Sequence, residues 1–488
     1  MLKSTTILNK KKISFNLIGL INFTFAFFPV SFIFGNLITN VNILVFCILG
    51  ILYLKSKIFE IKYNLILKLI FLFFLVIFFS TSLSFIKSLY IEGYDYTNLI
   101  RLIKSITFFR YFLMLLIIYK LGELNILDFK YFFISAALVT IVVGFDVIYQ
   151  YIFGFNTIGL KSYGAHNSGF FGKEWIAGGF IQNFSFFTIL SIFFLLKNKK
   201  NLQFILTLIT ICFLGLGIVY SGNRSPFILF FLGLLLLFLF NNKLRKIISV
   251  SIVCFLLLFK FVVLSDPIFK DTYKSAYQNI MGIFSSLHKF NLDTSAGNQI
   301  KSDLKTTVEK EEYLFPLYPQ YKGFFRTFDP RARLLLTAID TWKENKLFGN
   351  GIKSFRIDCF KLVGSAIYPE AGYNLYPDVK LFKRNRLCSN HPHNYYFEIL
   401  TETGIVGLFI IITIAILFFV FIFKNFKVLK REKIENFILL AAIISLLLEV
   451  FPFKPTGSIF TTNDATYIIL LTSIILSYYK KFSMGHND

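Results

Sequence analysis

The chain has 488 residues, 56% of them hydrophobic and 16% charged, with a mean hydropathy of +0.66 and a formal net charge of +24. A water-soluble chain could not hide so much apolar surface in one core, so lipid is the solvent this composition calls for. The positive charge sits mostly in short connections rather than on one continuous face, which argues against a nucleic-acid partner. Neither a P-loop nor a Rossmann glycine pattern is present.

Apolar runs of about 20 residues, the length that crosses a hydrocarbon layer ~30 Å thick, recur along nearly the whole chain and number roughly twelve. The clearest cover 13–36, 64–86, 131–153, 202–220, 226–240, 247–264, 404–423 and 437–450, with weaker ones at 41–54, 106–119, 177–196 and 466–479. The first is long and is followed by no small-residue cleavage pattern, so it reads as a span rather than a removed signal. Lys10, Lys11 and Lys12 open a one-sided pattern that continues through Lys55, Lys57, Lys62, Lys197, Lys199, Lys200, Lys243, Arg245, Lys246, Lys424, Lys427, Lys430, Arg431 and Lys433. These charges fall in every second connection, which predicts that those connections and both termini face the cytoplasm. The fold class is therefore an all-α integral membrane protein. About nine spans are expected in 1–265 and about three in 394–488, with a soluble helical module at 266–393 on the far side.

Two connections on that far side are long enough to carry function. The first, 154–176, is glycine-rich and contains His166, Lys173 and Trp175. The second is the module itself, in which 301–312 is polar enough to be a mobile stretch. Cys47, Cys212 and Cys254 fall in spans, where they read as small apolar filler. Cys359 and Cys388 lie in the module, where an oxidising compartment permits a disulfide, with two unrelated thiols as the alternative. A transporter would show internal repeats or several charges deep in its spans, yet no repeat is found and Asp146 is among very few such charges.

Three segments place an ionisable side chain at a helix start on the far side. In Ser221-Gly222-Asn223-Arg224-Ser225-Pro226, Ser225 suits a cap and Pro226 a first helical position, leaving Arg224 at the membrane surface. A snorkelling arginine is the plainer alternative. In Thr327-Phe328-Asp329-Pro330-Arg331-Ala332-Arg333, Asp329 reads as the cap, and Arg331 falls in a first turn, where a cation is disfavoured unless an anion binds there too. The alternative is a solvated arginine on an amphipathic helix. In Cys388-Ser389-Asn390-His391-Pro392-His393-Asn394, Pro392 suits a first helical position, so His393 would sit at a helix N-terminus with its imidazole kept neutral. His391 and His393 do not complete a zinc set, because no further Cys, His or acid joins them. Together the two guanidinium groups and the helix N-termini suit a diphosphate, with a neutral histidine as base, which points to transfer from a phosphorylated lipid.

In this order the segments resemble the O-antigen ligase and polymerase superfamily, and the resemblance spans nearly the whole chain. It rests on Ser221 to Pro226, on the helix from Arg331 to Ala338 leading to Lys346 and Gly349-x-Gly351, and on Pro392-His393-Asn394 followed by Leu400-x-Glu402-x-Gly404-Ile405-Val406-Gly407. The stretch Gly169 to Gly178 and Gly457-Ser458-Ile459-Phe460 are similar as well. Leu335 and Lys346 depart from the family, which often has Trp and Pro there, and this loosens the choice between Arg331 and Arg333. Spacing back from Gly349 favours Arg331. The resemblance implies a GT-C-like, metal-independent glycosyltransferase of the bacterial inner membrane that needs no cofactor. Arg224 and Arg331 would hold the diphosphate of a polyprenyl diphosphate-linked glycan donor, His393 would serve the acceptor hydroxyl, and Arg333 and Asn394 would make further substrate contacts. The implied acceptor is lipid A-core for a ligase, a second glycan for a polymerase, or Ser or Thr of a protein for an oligosaccharyltransferase; the ligase is favoured.

Overall fold

The computed structural model describes residues 17–91, 96–271, 273–274, 330–363 and 386–484; Lys10, Lys11, Lys12, Asp329 and the stretch 301–312 lie outside them. Among these residues the chain is helical and has no strand beyond two isolated bridges in the 154–176 connection. The helices in chain order are α1 (Leu17–Ala26), α2 (Phe28–Ile33), α3 (Asn36–Leu54), α4 (Leu65–Ile91), α5 (Tyr96–Glu123), α6 (Phe129–Phe153), α7 (Ala177–Leu195), α8 (Lys200–Tyr220), α9 (Arg224–Phe240) and α10 (Leu244–Ser265). They continue with α11 (Pro330–Trp342), α12 (Phe355–Val363), α13 (Tyr395–Lys424), α14 (Phe426–Leu429), α15 (Ile434–Glu449) and α16 (Thr462–Met484). Eight of these helices are long and apolar enough to cross a membrane, and the protein is an all-α integral membrane protein.

Between helices in lipid, close packing and hydrogen bonds replace the hydrophobic drive that works in water. Phenylalanine supplies much of the packing: Phe132 meets Phe187 edge-on at 5.6 Å, and Phe186 fills the notch left by Gly233. Many buried hydroxyls bond within their own helices, as when Thr140 donates to the Ala136 carbonyl at 2.6 Å and Ser473 to Ile469 at 2.6 Å. Val253, Leu257, Phe261 and Leu264 of α10 stay exposed, as a lipid-facing surface requires.

Contacts between helices fix which ends lie together. The Asn183 carbonyl near the start of α7 accepts from Ser445 near the end of α15 and from Tyr467 near the start of α16. Gly178 N–H donates to Asn223 Oδ1 just ahead of α9, and Asn40 near the start of α3 donates to Thr462 Oγ1. The starts of α3, α7, α9 and α16 and the end of α15 therefore share one end of the bundle, which also carries α11 and α12. Lys55, Lys197, Lys200, Lys243 and Lys427 fall at the other end, at the opposite termini of the same helices.

Asp146, one of the few carboxylates buried in the helices, is an anchor for the 154–176 connection. It accepts from Asn156 Nδ2 at 3.1 Å, from Thr157 N–H at 2.9 Å and from Thr157 Oγ1 at 2.6 Å. Gln150, one turn on, binds the Leu160 and Lys161 carbonyls and the Gly169 N–H. The loop is thus fastened to α6 by polar groups that would otherwise be unsatisfied in lipid.

Candidate functional site

Arg224 is the first residue of α9, with Asn223 in the N-cap position but making no side-chain capping bond, so the expected start at Ser225 and Pro226 is displaced two residues toward the N-terminus. The reason lies in Asn223. Its side chain accepts from Gly178 N–H at 3.1 Å and donates to the Trp175 carbonyl at 3.0 Å, which holds the turn extended at that residue. Gly222 (φ 73°) makes the turn possible, because a Cβ there would strike the Ala165 carbonyl and His166. The 154–176 connection thereby lies against the start of α9, and Asn167 adds a bond to the Tyr220 carbonyl at 2.6 Å. Trp175 stacks on His166 at 4.3 Å with the planes 8° apart. Burial lowers the His166 pKa, a hydrogen bond to the Ser221 backbone opposes this, and the charge of Arg224 lowers it further.

Arg331 and Arg333 share the first turn of α11 and are used differently. Arg333 donates to the Arg386 carbonyl at 3.1 Å, and Arg386 in turn pairs with buried Asp340 at 2.7 Å. Cys359 of α12 is bonded to Cys388, with Cα atoms 5.4 Å apart, and the bridge packs with Leu334, Ala338 and Phe355 in a small core of its own. Arg331 is exposed, and its charge bears on His393.

His393 is not in the first turn of a helix, as Pro392 had suggested. α13 starts at Tyr395 and is capped by Asn394, whose side chain accepts from the Tyr396 and Phe397 N–H groups and donates to the Pro452 carbonyl at 2.7 Å. That cap leaves His393 just outside the helix in a left-handed conformation (φ 57°), with its carbonyl accepting from Thr456 N–H at 3.1 Å. The ring lies 4.2 Å from that of His391. Burial lowers the His393 pKa, a hydrogen bond to the Thr456 backbone opposes it, and Arg331 adds to the lowering. His391 is pushed down to about 4 by burial, with His393, Lys353 and Arg356 adding to it against the same Thr456 bond. Both imidazoles are therefore neutral at neutral pH and able to accept a proton.

The spacing of Gly349, Gly351, Glu402 and Gly404 has one structural cause. Gly404 takes a left-handed conformation (φ 69°) inside α13, which breaks two helical bonds and frees the carbonyls of Thr401 and Glu402 and the N–H groups of Ile405 and Val406. The 346–351 loop takes all four. Asn350 and Gly351 donate to Thr401 and Glu402 at 2.9 Å each, and Ile405 and Val406 donate to Lys346 and Leu347 at 3.0 and 3.2 Å. A Cβ at Gly349 would meet the backbone at Glu402, and one at Gly404 would meet the Leu347 carbonyl, so both must be glycine for the strands of backbone to touch. Lys353 N–H then donates to Glu402 Oε2 at 2.6 Å, Lys353 Nζ reaches Ser458 Oγ at 3.3 Å, and Ile459 N–H donates to Glu398 Oε2 at 2.8 Å. Arg101 of α5 donates to the Ile352 carbonyl at 3.1 Å and to the Asn350 carbonyl. These contacts set α11, and with it Arg331, against the start of α13.

The residues singled out from sequence thus fall into two electrostatically linked groups at one end of the bundle. Arg331 stands with His393 and His391; Arg224 stands with His166, and its charge also reaches Tyr273. Lys353, Glu398, Glu402 and Arg101 were not singled out as site residues, although Glu402 lay within a motif. Among the described residues no three His, Cys, Asp or Glu side chains cluster as metal ligands would.

Residues 207–412 match the family model described as O-antigen ligase. The match runs from α8 into α13, takes in Arg224, Arg331 and His393, and supports the O-antigen ligase and polymerase superfamily and a function of that type. No curated protein matches the chain.

Proposed function

We propose that the protein transfers a glycan from a polyprenyl diphosphate carrier to an acceptor hydroxyl at the periplasmic face of the bacterial inner membrane, and that the acceptor is lipid A-core. The observation that carries the reading is His393, exposed at a surface end of the bundle, with its pKa lowered by burial and within the electrostatic reach of Arg331, itself exposed. A base next to a cation suits a reaction in which one substrate loses a proton while the other, a diphosphate diester with two negative charges, releases a polyprenyl diphosphate that carries three.

In this scheme His393 removes the proton of the acceptor hydroxyl, and that oxygen bonds to the anomeric carbon of the donor. The bond from that carbon to the carrier diphosphate breaks, and Arg224 and Arg331 take up the charge of the departing polyprenyl diphosphate. Arg224, across the same end of the bundle, completes the clamp when donor is bound. The leaving group is already activated, so alignment and charge stabilisation are what remain for the protein to supply, without a metal. The decisive assay uses the purified chain with a polyprenyl diphosphate glycan and either lipid A-core or a second donor molecule, in buffer containing EDTA. Glycosylated lipid A-core supports the proposal; a lengthened carrier-linked glycan identifies a polymerase instead. Loss of transfer in EDTA would overturn metal independence.

A further inference from the structure

The end of the bundle opposite to Arg224 and His393 holds a cavity of about 760 Å³, enclosed by the end of α7, the starts of α8 and α10 and the segment leading into α15. Lys197, Lys200, Lys243 and Lys246 line it, and Glu432 is its one acid. Four ammonium groups and one carboxylate leave a formal charge of 4 − 1 = +3. Lys243 pairs with Glu432 at 2.7 Å, and Lys197 lies over the Phe194 ring at 5.1 Å. The walls are set by packing rather than by these charges. Phe437 meets Phe193 and Phe194 at 6.0 and 5.8 Å, and Gln203 donates to the Phe193 carbonyl at 2.6 Å, tying α8 to α7. On one side the lining reaches Ile205, which is 52% exposed and continues into exposed Leu202 and Ile209 along α8.

We infer that this cavity binds the headgroup of an anionic phospholipid. The phosphate sits among the lysines, which otherwise repel one another beside hydrocarbon, and an acyl chain runs along the apolar face of α8. A free anion would satisfy the charge but leave the apolar wall unused; a zwitterionic lipid would use the wall and bring no net charge. Because α7 leads from the cavity to Gly178, which bonds Asn223, and α15 leads from it to Glu449, which accepts from Tyr395 at 2.7 Å, an occupied site braces helices next to both Arg224 and His393.

The test is thermal unfolding of the full chain in neutral detergent, titrated with phosphatidylglycerol, phosphatidylcholine or inorganic phosphate. Phosphatidylglycerol should raise the midpoint in a saturable way, and the other two should not. Lys200→Gln with Lys246→Gln should weaken apparent phosphatidylglycerol affinity roughly 30-fold, at about 5-fold per lysine. Glu432→Gln removes the one acid and should act oppositely, tightening it about 5-fold. This variant keeps the test decisive if the double lysine variant does not fold. An equal response to phosphatidylcholine or to inorganic phosphate, an unchanged affinity in the double variant, or a weaker one in Glu432→Gln would each overturn the inference, leaving the lysines as determinants of orientation only.

Discussion

At the scale of single residues, the pH dependence of transfer follows from His393. Burial and the neighbouring guanidinium lower the His393 pKa from the ordinary histidine value, so the imidazole stays a base further into acid than a free histidine would. Transfer should therefore be flat above about pH 6.5 and fall on the acid side with an apparent pKa below that value, read from initial rates across a pH series. His391 adds a stability effect of the same sign. Its folded pKa of about 4 lies below the unfolded value, so the unfolded chain binds the proton first, and stability present above ~6.5 is lost as pH falls toward 4. His393→Ala should lower the rate by roughly 10² to 10⁴ while donor binding is retained. Arg224→Ala and Arg331→Ala should each cost about 10² to 10³ in rate, with lysine rescuing only in part because it lacks the planar fork. Arg333→Ala should instead lower the melting temperature, since Arg333 holds the Arg386 carbonyl; a large loss of rate at unchanged stability would exchange the roles of the two arginines. That Arg224, Arg331 and His393 lie near helix starts was legible from residue type and local pattern, while the roles given to them here are part of the proposal. Lys353 was not legible, because its partner Glu402 stands 49 residues away and nothing local marks the pair.

At the scale of elements, the sequence shows apolar runs, and the structure shows where helices outrun them. The weak run at 106–119 is the later part of α5, which starts at Tyr96; Arg101 and Lys104 interrupt the hydropathy, and buried Arg101 is spent on the Asn350 and Ile352 carbonyls. The starts of α9 and α13 were misplaced for a related reason. Proline tolerates the first turn generally, whereas Asn223 and Asn394 fix the helix starts by bonding across to other elements, and Asn394 alone of the two also caps its helix with its side chain. The break in α13 was visible only as a motif containing Gly404, since its explanation needs the 346–351 loop alongside. Gly404→Ala should be damaging on two counts, the left-handed backbone and the collision with the Leu347 carbonyl. The backbone alone costs about 1 to 3 kcal/mol. Melting in detergent should show the loss, and transfer should fall with it as Arg331 loses its register with His393; a variant with wild-type melting and activity would mean the loop does not position α11.

At the scale of the whole molecule, the distribution of charge and the arrangement of helices are independent observations that bear on one question. The helix contacts put Lys55, Lys197, Lys200, Lys243, Lys246, Lys427 and Lys433 at one end and Arg224, Arg331 and His393 at the other, without reference to any membrane. From the tendency of cytoplasmic loops to retain lysine and arginine, we propose that the first end faces the cytoplasm and the second the periplasm. That assignment matters chemically, because a disulfide between Cys359 and Cys388 persists only in an oxidising compartment and because the carrier-linked glycan must be on the same side as the base that activates its acceptor. Alkaline phosphatase fused within 266–390 should accordingly be active, and green fluorescent protein fused after Lys427 should fluoresce. Alkylation of the unreduced chain should leave Cys359 and Cys388 unmodified until reductant is added. Inactive phosphatase in that segment, with both cysteines alkylated before reduction, would place the histidine and arginines in the cytoplasm and remove the basis for transfer at the periplasmic face.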